Sequence, residues 1–273
     1  MKGTLIVVVG IFFLFLLLFY LGQGKLIYFP QRYSSSSKEL QSVEMISYPS
    51  GGKEQKLFLS PPDRLAPPNE VWWLFGGNGS VALNWVDLVG AAGLREDQAF
   101  VLFDYPGYGL SEGKPTDQTI ARSVDASLPV VAKQLGLSEA ELKSRSRSIG
   151  HSLGAAVALD TAARHGFPEV IMISPFTTMK AMAKRQVGPV FALFLAHHYD
   201  NESALDRWLK LPVAESLTIF HGERDRIIPV SMSRELVARG ADSEKISMIP
   251  VPEVGHNDII MRIAPAVVEI VVK

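Results

Sequence analysis

Cysteine is absent from this 273-residue chain, and neither charge is in excess, since 27 Lys and Arg residues stand against 28 Asp and Glu residues. The lack of cysteine excludes disulfides, thiolate metal sites and a cysteine nucleophile. The formal net charge of -1 provides no overall attraction to nucleic acid or to anionic lipid, so we expect no nucleic-acid partner. What is present is 47% hydrophobic residues in a chain long enough to bury one large core.

The N-terminus carries a long apolar run. Residues Thr4 to Leu21 contain no charged side chain, and as a helix they would extend about 27 Å, close to the thickness of a hydrocarbon core. A cleaved secretory signal is the alternative, because Lys2 precedes the run and Gly22 and Gly24 follow it. We favour a retained anchor, since the run exceeds the roughly 7–15 residues of a signal core and no Ala-x-Ala site follows.

These features divide the chain into three parts. Residues 1–24 are expected to form a single-pass transmembrane anchor or signal segment, residues 25–42 a juxtamembrane linker, and residues 43–273 a globular domain. The linker contains an apolar patch at Leu26 to Pro30, suited to the membrane interface, and a polar tract at Ser34 to Ser37. Positive residues lie on both sides of the apolar run, so the side of the membrane stays open.

The globular part alternates strand-like and helical runs, which is typical of an α/β fold with a mostly parallel sheet and helices on both faces. The first two strands flank Ser50-Gly51-Gly52, which predicts an antiparallel hairpin before the parallel strands begin. The predicted strands are Val43–Tyr48, Gln55–Ser60, Val71–Phe75, Phe100–Asp104, Val170–Ser174, Leu217–His221 and Lys245–Ile249. The predicted helices are Val81–Leu94, Gln118–Leu135, Leu153–His165, Ser231–Arg239 and Ile259–Val272.

Ser152 is flanked by glycines two residues away on either side. Gly150 and Gly154 would permit a sharp turn between a strand and the helix that follows, leaving the serine hydroxyl clear of its neighbours. The preceding segment, Leu142–Ile149, contains two arginines, although a central strand should be rich in Val, Ile and Leu. Either the arginines lie where the strand begins, close to solvent, or the buried strand is only a few residues long.

A catalytic serine requires a base and an acid that orients the base. His256 is the best candidate base, because it lies in a glycine-containing loop between the last predicted strand and the last predicted helix. Asp225 follows the penultimate strand, from which a carboxylate can reach that loop, fix the imidazole tautomer and stabilise the imidazolium. Glu223 is the nearby alternative.

Backbone amides in two turns are candidate oxyanion donors. One is the amide of Leu153, directly after the serine at the start of a helix. The other is Asn78, in the glycine-rich loop Gly76–Ser80; a phosphate-binding loop is the rival interpretation, but no Gly-Lys-Ser/Thr follows. Adjacent residues such as His197 and His198 cannot face one metal from one helix face. The sequence therefore predicts neither a cofactor nor a metal site.

The order Ser152, Asp225, His256 resembles that of the α/β-hydrolase superfamily, and the resemblance covers residues 43–273. Four passages carry it: Phe75-Gly76-Gly77-Asn78-Gly79, Asp104-Tyr105-Pro106-Gly107-Tyr108-Gly109-Leu110-Ser111-Glu112-Gly113, Gly150–Gly154 and Ser174-Pro175-Phe176. With its N-terminal apolar run, the chain is most similar to membrane-anchored serine hydrolases with a minimal lid. Gly76 departs from the pattern, because relatives usually have histidine there, and this departure is expected to loosen the loop.

The resemblance implies a nucleophile at Ser152, a general base and acid at His256, its partner at Asp225, and oxyanion donors at Asn78 and Leu153. It implies hydrolysis of a carboxylic ester or thioester through an acyl-enzyme. An anchor would favour a lipid or acylated substrate, because it holds the site beside the membrane. A serine peptidase and a non-catalytic, membrane-tethered binding protein are the alternatives.

The apolar stretch Val187–Leu195 has two interpretations. It can line an acyl pocket or dip toward a bilayer, or it can belong to a helix buried on the sheet.

Overall fold

A computed structural model describes residues 2–33, 40, 42–61, 66–91, 95 and 97–272. The centre of the molecule is one eight-stranded sheet with the strand order β1-β2-β4-β3-β5-β6-β7-β8. β1 pairs with β2, and β2 with β4, in antiparallel fashion, whereas all other pairs are parallel. The strands are β1 Glu44–Ser50, β2 Lys53–Ser60, β3 Glu70–Phe75, β4 Gln98–Phe103, β5 Ser146–His151, β6 Glu169–Ile173, β7 Ser216–Gly222 and β8 Ile246–Val251.

Helices cover both faces of the sheet, so the fold is the predicted α/β arrangement. One hydrophobic core lies under α3, α5, α8 and α9, and a second lies under α2 and α10 on the opposite face. The helices are α1 Lys2–Ile27, α2 Val86–Ala91, α3 Asp117–Gln134, α4 Glu139–Arg145, α5 Leu153–His165, α6 Met179–Val187, α7 Pro189–Ala192, α8 Asn201–Leu209, α9 Val230–Arg239 and α10 Ile259–Val271.

Each predicted strand overlaps an observed one, and the predicted hairpin between β1 and β2 is confirmed. The predicted helix Val81–Leu94 begins instead as a 3-10 turn at Ala82–Trp85, followed by the short α2, and residues 92–94 lie outside the described part. Helices α4, α6, α7 and α8 were not predicted.

The polar strand β5 has a local explanation. The strand begins only at Ser146, and the preceding Arg145 is the last residue of α4. Arg147 lies 3.1 Å from Glu70 and 3.3 Å from Glu169, which begin the two neighbouring strands. Ser146 is fully buried, but its hydroxyl donates to the Leu142 carbonyl at 2.7 Å. The first alternative is therefore confirmed, since the one arginine of the strand lies near the end where it begins, whereas β5 with 6 residues is as long as β3 and β4.

Helix α1 is long, at 26 residues, and most of its described apolar side chains are exposed. Within the described residues, it is the one helix that is long and apolar enough to cross a membrane, judged by length and composition. It continues to Ile27, three residues beyond the anchor boundary predicted at residue 24. The polar tract Ser34 to Ser37 lies outside the described residues.

The segment after α1 packs against the globular domain. Tyr28 is 3% exposed, and its hydroxyl lies 3.2 Å from Nδ1 of His197 and 3.1 Å from the hydroxyl of Tyr199. The amide of Phe29 donates to the Asn78 carbonyl at 2.9 Å. The membrane-interface interpretation was therefore wrong for Tyr28, because a buried partner network satisfies its hydroxyl while the ring joins the core.

Candidate active site

Ser152 occupies a strained turn between β5 and α5. Its φ is 56° and its ψ is -115°, in the positive-φ region that side chains other than glycine rarely adopt. The glycines on either side explain how this turn fits. A Cβ atom on Gly150 would overlap the carbonyl oxygen of Gly154, and a Cβ on Gly154 would overlap that of Phe75. Glycine at both positions is therefore a packing requirement of the turn.

Topology brings the predicted site residues to one edge of the sheet. Asn78 follows β3, Ser152 follows β5, Asp225 follows β7 and His256 follows β8. These strands are parallel to one another, so their carboxyl ends lie at the same edge, where ligands bind in open α/β sheets. The loop after β7 and the loop after β8 are in direct contact, because the amide of Arg224 donates a hydrogen bond to the Val254 carbonyl at 3.0 Å.

Asp225 and His256 are in direct contact. Nδ1 of His256 lies 2.6 Å from Oδ2 of Asp225, and the histidine is 8% exposed. Oδ1 of Asp225 accepts hydrogen bonds from the amides of Ile227 at 2.9 Å and Ile228 at 2.8 Å. These bonds fix the carboxylate, which in turn holds the hydrogen of His256 on Nδ1 and leaves Nε2 free to act as a base.

The pKa of Asp225 lies well below its usual range. Burial by itself would raise this pKa, but hydrogen bonds from His221, His256 and the Ile228 amide outweigh that effect. Asp225 is therefore ionised at neutral pH, which is the state needed to stabilise an imidazolium at His256.

Ser152 and His256 line the same cavity but are not joined by a hydrogen bond among the contacts of the described residues. Catalytic hydrogen bonds are often long before substrate binds, so this geometry is compatible with a nucleophile and its base. The predicted alternative acid, Glu223, is exposed and does not line the cavity.

Both predicted oxyanion donors lie near the serine. Asn78 lines the cavity with Ser152 and Leu153. The carbonyl of Asn78 accepts hydrogen bonds from the Phe29 amide at 2.9 Å and from the Tyr108 hydroxyl at 2.6 Å, which fix the peptide chain there. Within the described residues, the backbone amides of Asn78 and Leu153 donate no hydrogen bond to the protein. Two free N–H groups beside a nucleophile have the chemistry of an oxyanion site.

The cavity has a volume of about 590 Å³, within the range typical of small-molecule sites. Its polar lining residues are Gln23, Asn78, Ser152, Gln186, His256 and Asn257, and the other lining residues are apolar. The apolar lining residues are Phe19, Leu26, Ile27, Phe29, Leu153, Phe176, Met179, Met182, Ala183, Val187, Leu195, Ile227 and Ile228. Among the described residues, we find no group of three or more His, Asp or Glu side chains arranged to hold a metal ion.

Comparison with known proteins identifies the family. A sequence model described as the alpha/beta hydrolase family matches residues 74–214. The chain belongs to the alpha/beta hydrolase family. The match includes the loop after β3, Ser152 and α5, which are the elements at the nucleophile end of the site.

Two relatives are similar to this alpha/beta hydrolase over more of its length than the family model covers. An uncharacterized protein of Mycobacterium tuberculosis is 29% identical over 201 residues, covering 68% of this chain and 67% of the relative. The human alpha/beta hydrolase domain-containing protein 17B is 25% identical over 233 residues, covering 84% of this chain and 73% of the relative.

Solved structures match the fold of this alpha/beta hydrolase. An esterase of Pyrococcus furiosus has a TM-score of 0.66 at 16% identity, with 90% of this chain and 95% of that one covered. Est1E of Butyrivibrio proteoclasticus, solved with ferulic acid bound, has a TM-score of 0.63 at 15% identity, with 83% and 97% covered. At such identities the likeness establishes the fold alone.

Two further histidines of the hydrolase domain support the site, and sequence analysis did not assign either a role. His221 is fully buried, and its Nε2 lies 2.9 Å from the Ile228 carbonyl and 3.4 Å from Oδ2 of Asp225. Its Nδ1 lies 2.6 Å from the hydroxyl of Ser233. The signal in the sequence was a histidine directly after the apolar residues Ile219 and Phe220 of a predicted strand, four residues before the candidate acid.

His151 packs beside the base, with ring centroids 4.9 Å apart. Its Nε2 lies 3.3 Å from the carbonyl oxygen of His256, to which it donates in the neutral tautomer that carries hydrogen there. Burial, followed by the nearby His256, lowers the pKa of His151 to about 3. A neutral His151 therefore adds no positive charge next to the candidate base.

This chain has Gly76 at the position where relatives usually have histidine. A hydrogen bond from a tyrosine holds the loop there. The Gly76 carbonyl accepts a hydrogen bond from the Tyr105 hydroxyl at 2.7 Å. Tyr105 is itself buried in the main core. The departure at Gly76 therefore leaves the loop with a buried hydrogen-bond partner, and the loosening of the loop stays a prediction.

Proposed function

We propose that this alpha/beta hydrolase cleaves a carboxylic ester or thioester through an acyl-enzyme on Ser152. The observation that carries the proposal is the 2.6 Å contact between His256 and Asp225, at the edge of a cavity that Ser152 also lines. The free amides of Asn78 and Leu153 support it, because both residues line that cavity with Ser152 and free amides can stabilise the negative charge that develops on a carbonyl oxygen.

In the proposed reaction, Nε2 of His256 accepts the proton of Ser152 as the serine oxygen bonds to the carbonyl carbon. The bond to the leaving oxygen or sulfur then breaks, and His256 returns the proton to that atom. Water adds to the acyl-enzyme with His256 again as base, the bond between the acyl carbon and the Ser152 oxygen breaks, His256 returns the proton to that oxygen, and the acid product leaves. Asp225 stays ionised throughout and stabilises the imidazolium.

The apolar lining of the cavity favours a lipid or acylated substrate, and so does the apolar helix α1, which would hold the site beside a membrane. We infer that α1 is a retained membrane anchor, because its final turns form part of the cavity wall and removal of residues 1–24 would take Phe19 and Gln23 away. After alkaline carbonate washing, the protein should stay in the membrane pellet with its N-terminal peptide intact. A soluble product lacking residues before Lys25 would contradict the anchor.

The test of the enzymatic proposal uses the full chain in lipid nanodiscs with p-nitrophenyl acetate and a fluorophosphonate probe. Ser152→Ala should lower ester turnover by at least about 10³-fold and abolish labelling, because the nucleophile is removed. Ser247→Ala is the matched control, since Ser247 is exposed on β8 and does not line the cavity. Undiminished turnover and labelling of Ser152→Ala would overturn the proposal, and a wild-type protein inactive towards all esters would favour a binding protein.

A further inference from the structure

The last turns of α1 form one wall of the cavity that contains Ser152. Four of its residues line the cavity, and their spacing of i, i+4, i+7 and i+8 places them on one helix face: Phe19, Gln23, Leu26 and Ile27. The neighbouring Leu21 is 72% exposed and is not among the lining residues. The same helix therefore presents one side to the cavity and other sides outward.

Helix α6 forms another wall in the same manner. Its lining residues follow the spacing i, i+3, i+4, i+7 and i+8: Met179, Met182, Ala183, Gln186 and Val187. None of the residues of α6 is buried. The apolar face of this helix consequently borders the cavity, while Met179, Ala181 and Met182 are partly buried against the edge of the main core. This arrangement favours the predicted pocket-lining interpretation for Val187 and Leu195, and it shows that the buried-helix interpretation was wrong for the exposed Leu193.

Specific contacts hold α1 against the domain. Gln23 is a polar residue in an apolar helix, yet it is only 2% exposed. Its Oε1 accepts a hydrogen bond from the Ala196 amide at 2.7 Å, and its Nε2 donates to the Tyr20 carbonyl at 3.0 Å. The ring of Phe19 packs edge-on against Phe191 with centroids 5.1 Å apart. A buried amide with its polar atoms satisfied positions a helix more specifically than apolar contact alone.

We propose that the space between α1 and α6 is the acyl-chain subsite of the Ser152 centre, so that the helix predicted as an anchor also determines substrate specificity. The inference rests on the proposed function and names its substrate class as long-chain fatty acyl esters or thioesters. The carbonyl group of the substrate would lie beside Ser152 and Asn78, and its acyl chain would extend along Leu26 and Met182. Each methylene buried there would raise kcat/KM by up to about fourfold.

The experiment compares p-nitrophenyl octanoate with p-nitrophenyl acetate, using the full chain in nanodiscs. Leu26→Trp fills the proposed subsite from α1 at a position that is 59% exposed, so the fold should tolerate it. The octanoate-to-acetate ratio of kcat/KM should fall at least tenfold, because the larger side chain occupies space that only the longer acyl chain needs. Ala183→Leu, on the opposite wall, should have the same effect. Leu21→Trp, the matched control on the outer side of α1, should leave the ratio unchanged. An unaltered ratio in both Leu26→Trp and Ala183→Leu would overturn the subsite.

A second readout separates the subsite from the catalytic proposal. In Ser152→Ala protein, fluorescence enhancement of a dansyl-labelled undecanoic acid reports chain binding without turnover. Binding that Leu26→Trp weakens at least tenfold and Leu21→Trp preserves supports the subsite even if no ester is cleaved. Equal binding by the three proteins overturns the subsite, even if acetate turnover establishes the enzyme.

Discussion

Nδ1 of His256 lies 2.6 Å from Oδ2 of Asp225, although 31 residues separate them in the chain. β8 lies between these two residues in the chain and pairs in parallel with β7, so both loops emerge at the same edge of the sheet. The contact sets the tautomer of the imidazole, and buried amide and histidine donors keep the carboxylate ionised.

We expect Asp225→Asn to lower kcat by about 10³–10⁴-fold while leaving the fold intact, because an amide would favour the wrong imidazole tautomer. Glu223→Gln is the matched control, since Glu223 is the nearby exposed carboxylate, and its kcat should stay within about twofold of wild type. Steady-state hydrolysis of p-nitrophenyl acetate measures both variants. If the two effects are reversed, Glu223 is the orienting acid.

We expect Gly154→Ala to lose activity, because the new Cβ would overlap the Phe75 carbonyl oxygen. Its free energy of unfolding should fall by about 1–3 kcal/mol. Gly90→Ala provides the comparison, since a Cβ there meets no atom within 4 Å and alanine favours helix α2. Urea unfolding monitored by circular dichroism gives both free energies. Equal stability of Gly154→Ala and wild type would show that the turn relaxes.

Asp104 provides a pH-dependent prediction. Burial raises its pKa to about 6, despite hydrogen bonds from the Ala82 amide and the Tyr33 hydroxyl. The unfolded carboxyl has a pKa of about 3.9, so between these two values the folded state binds more protons than the unfolded state. The stability that Asp104 contributes is therefore fully present below about pH 4 and is lost as the pH rises through about 6.

The corresponding measurement is the difference in unfolding free energy between wild type and Asp104→Asn from pH 4 to pH 7. This difference should shift against wild type by up to about 3 kcal/mol as the pH rises. The contributions of other titrating groups to the pH dependence are the same in both proteins and cancel in the difference. Asp87→Asn is the control, because it removes one carboxylate from an exposed helical site. A pH-independent difference would mean that Asp104 titrates alike in both states.

Local sequence pattern was sufficient to predict most strands and the serine turn. The spacing of Gly150, Ser152 and Gly154 indicated the turn because close backbone approach admits only glycine at its flanks. The hairpin at Gly51 and Gly52 was readable because both glycines have positive φ. These features depend on residues that are close together in the sequence, so a local sequence pattern is sufficient to predict them.

Features that depend on partners distant in the chain were not predictable. The hydrogen bond of Gln23 spans 173 residues, and sequence alone gave no reason to connect α1 with Ala196. Likewise, Arg147 conflicts with a buried strand until Glu70 and Glu169 are placed beside it by the neighbouring strands. The roles of His151 and His221 also depend on which loops lie against them.

Residue types and short spacings were enough to identify the reactive groups: a serine between glycines, a late histidine and a carboxylate after a strand, together with an apolar N-terminal run. These are properties of residue type and short spacing, which backbone sterics and hydrophobicity translate directly into local structure. That α1 borders the cavity of Ser152, and that Asp225 contacts His256 where Glu223 does not, became visible only in the folded molecule. The physical reason is that strand order and helix packing, set by burial of the whole core, determine which distant side chains meet.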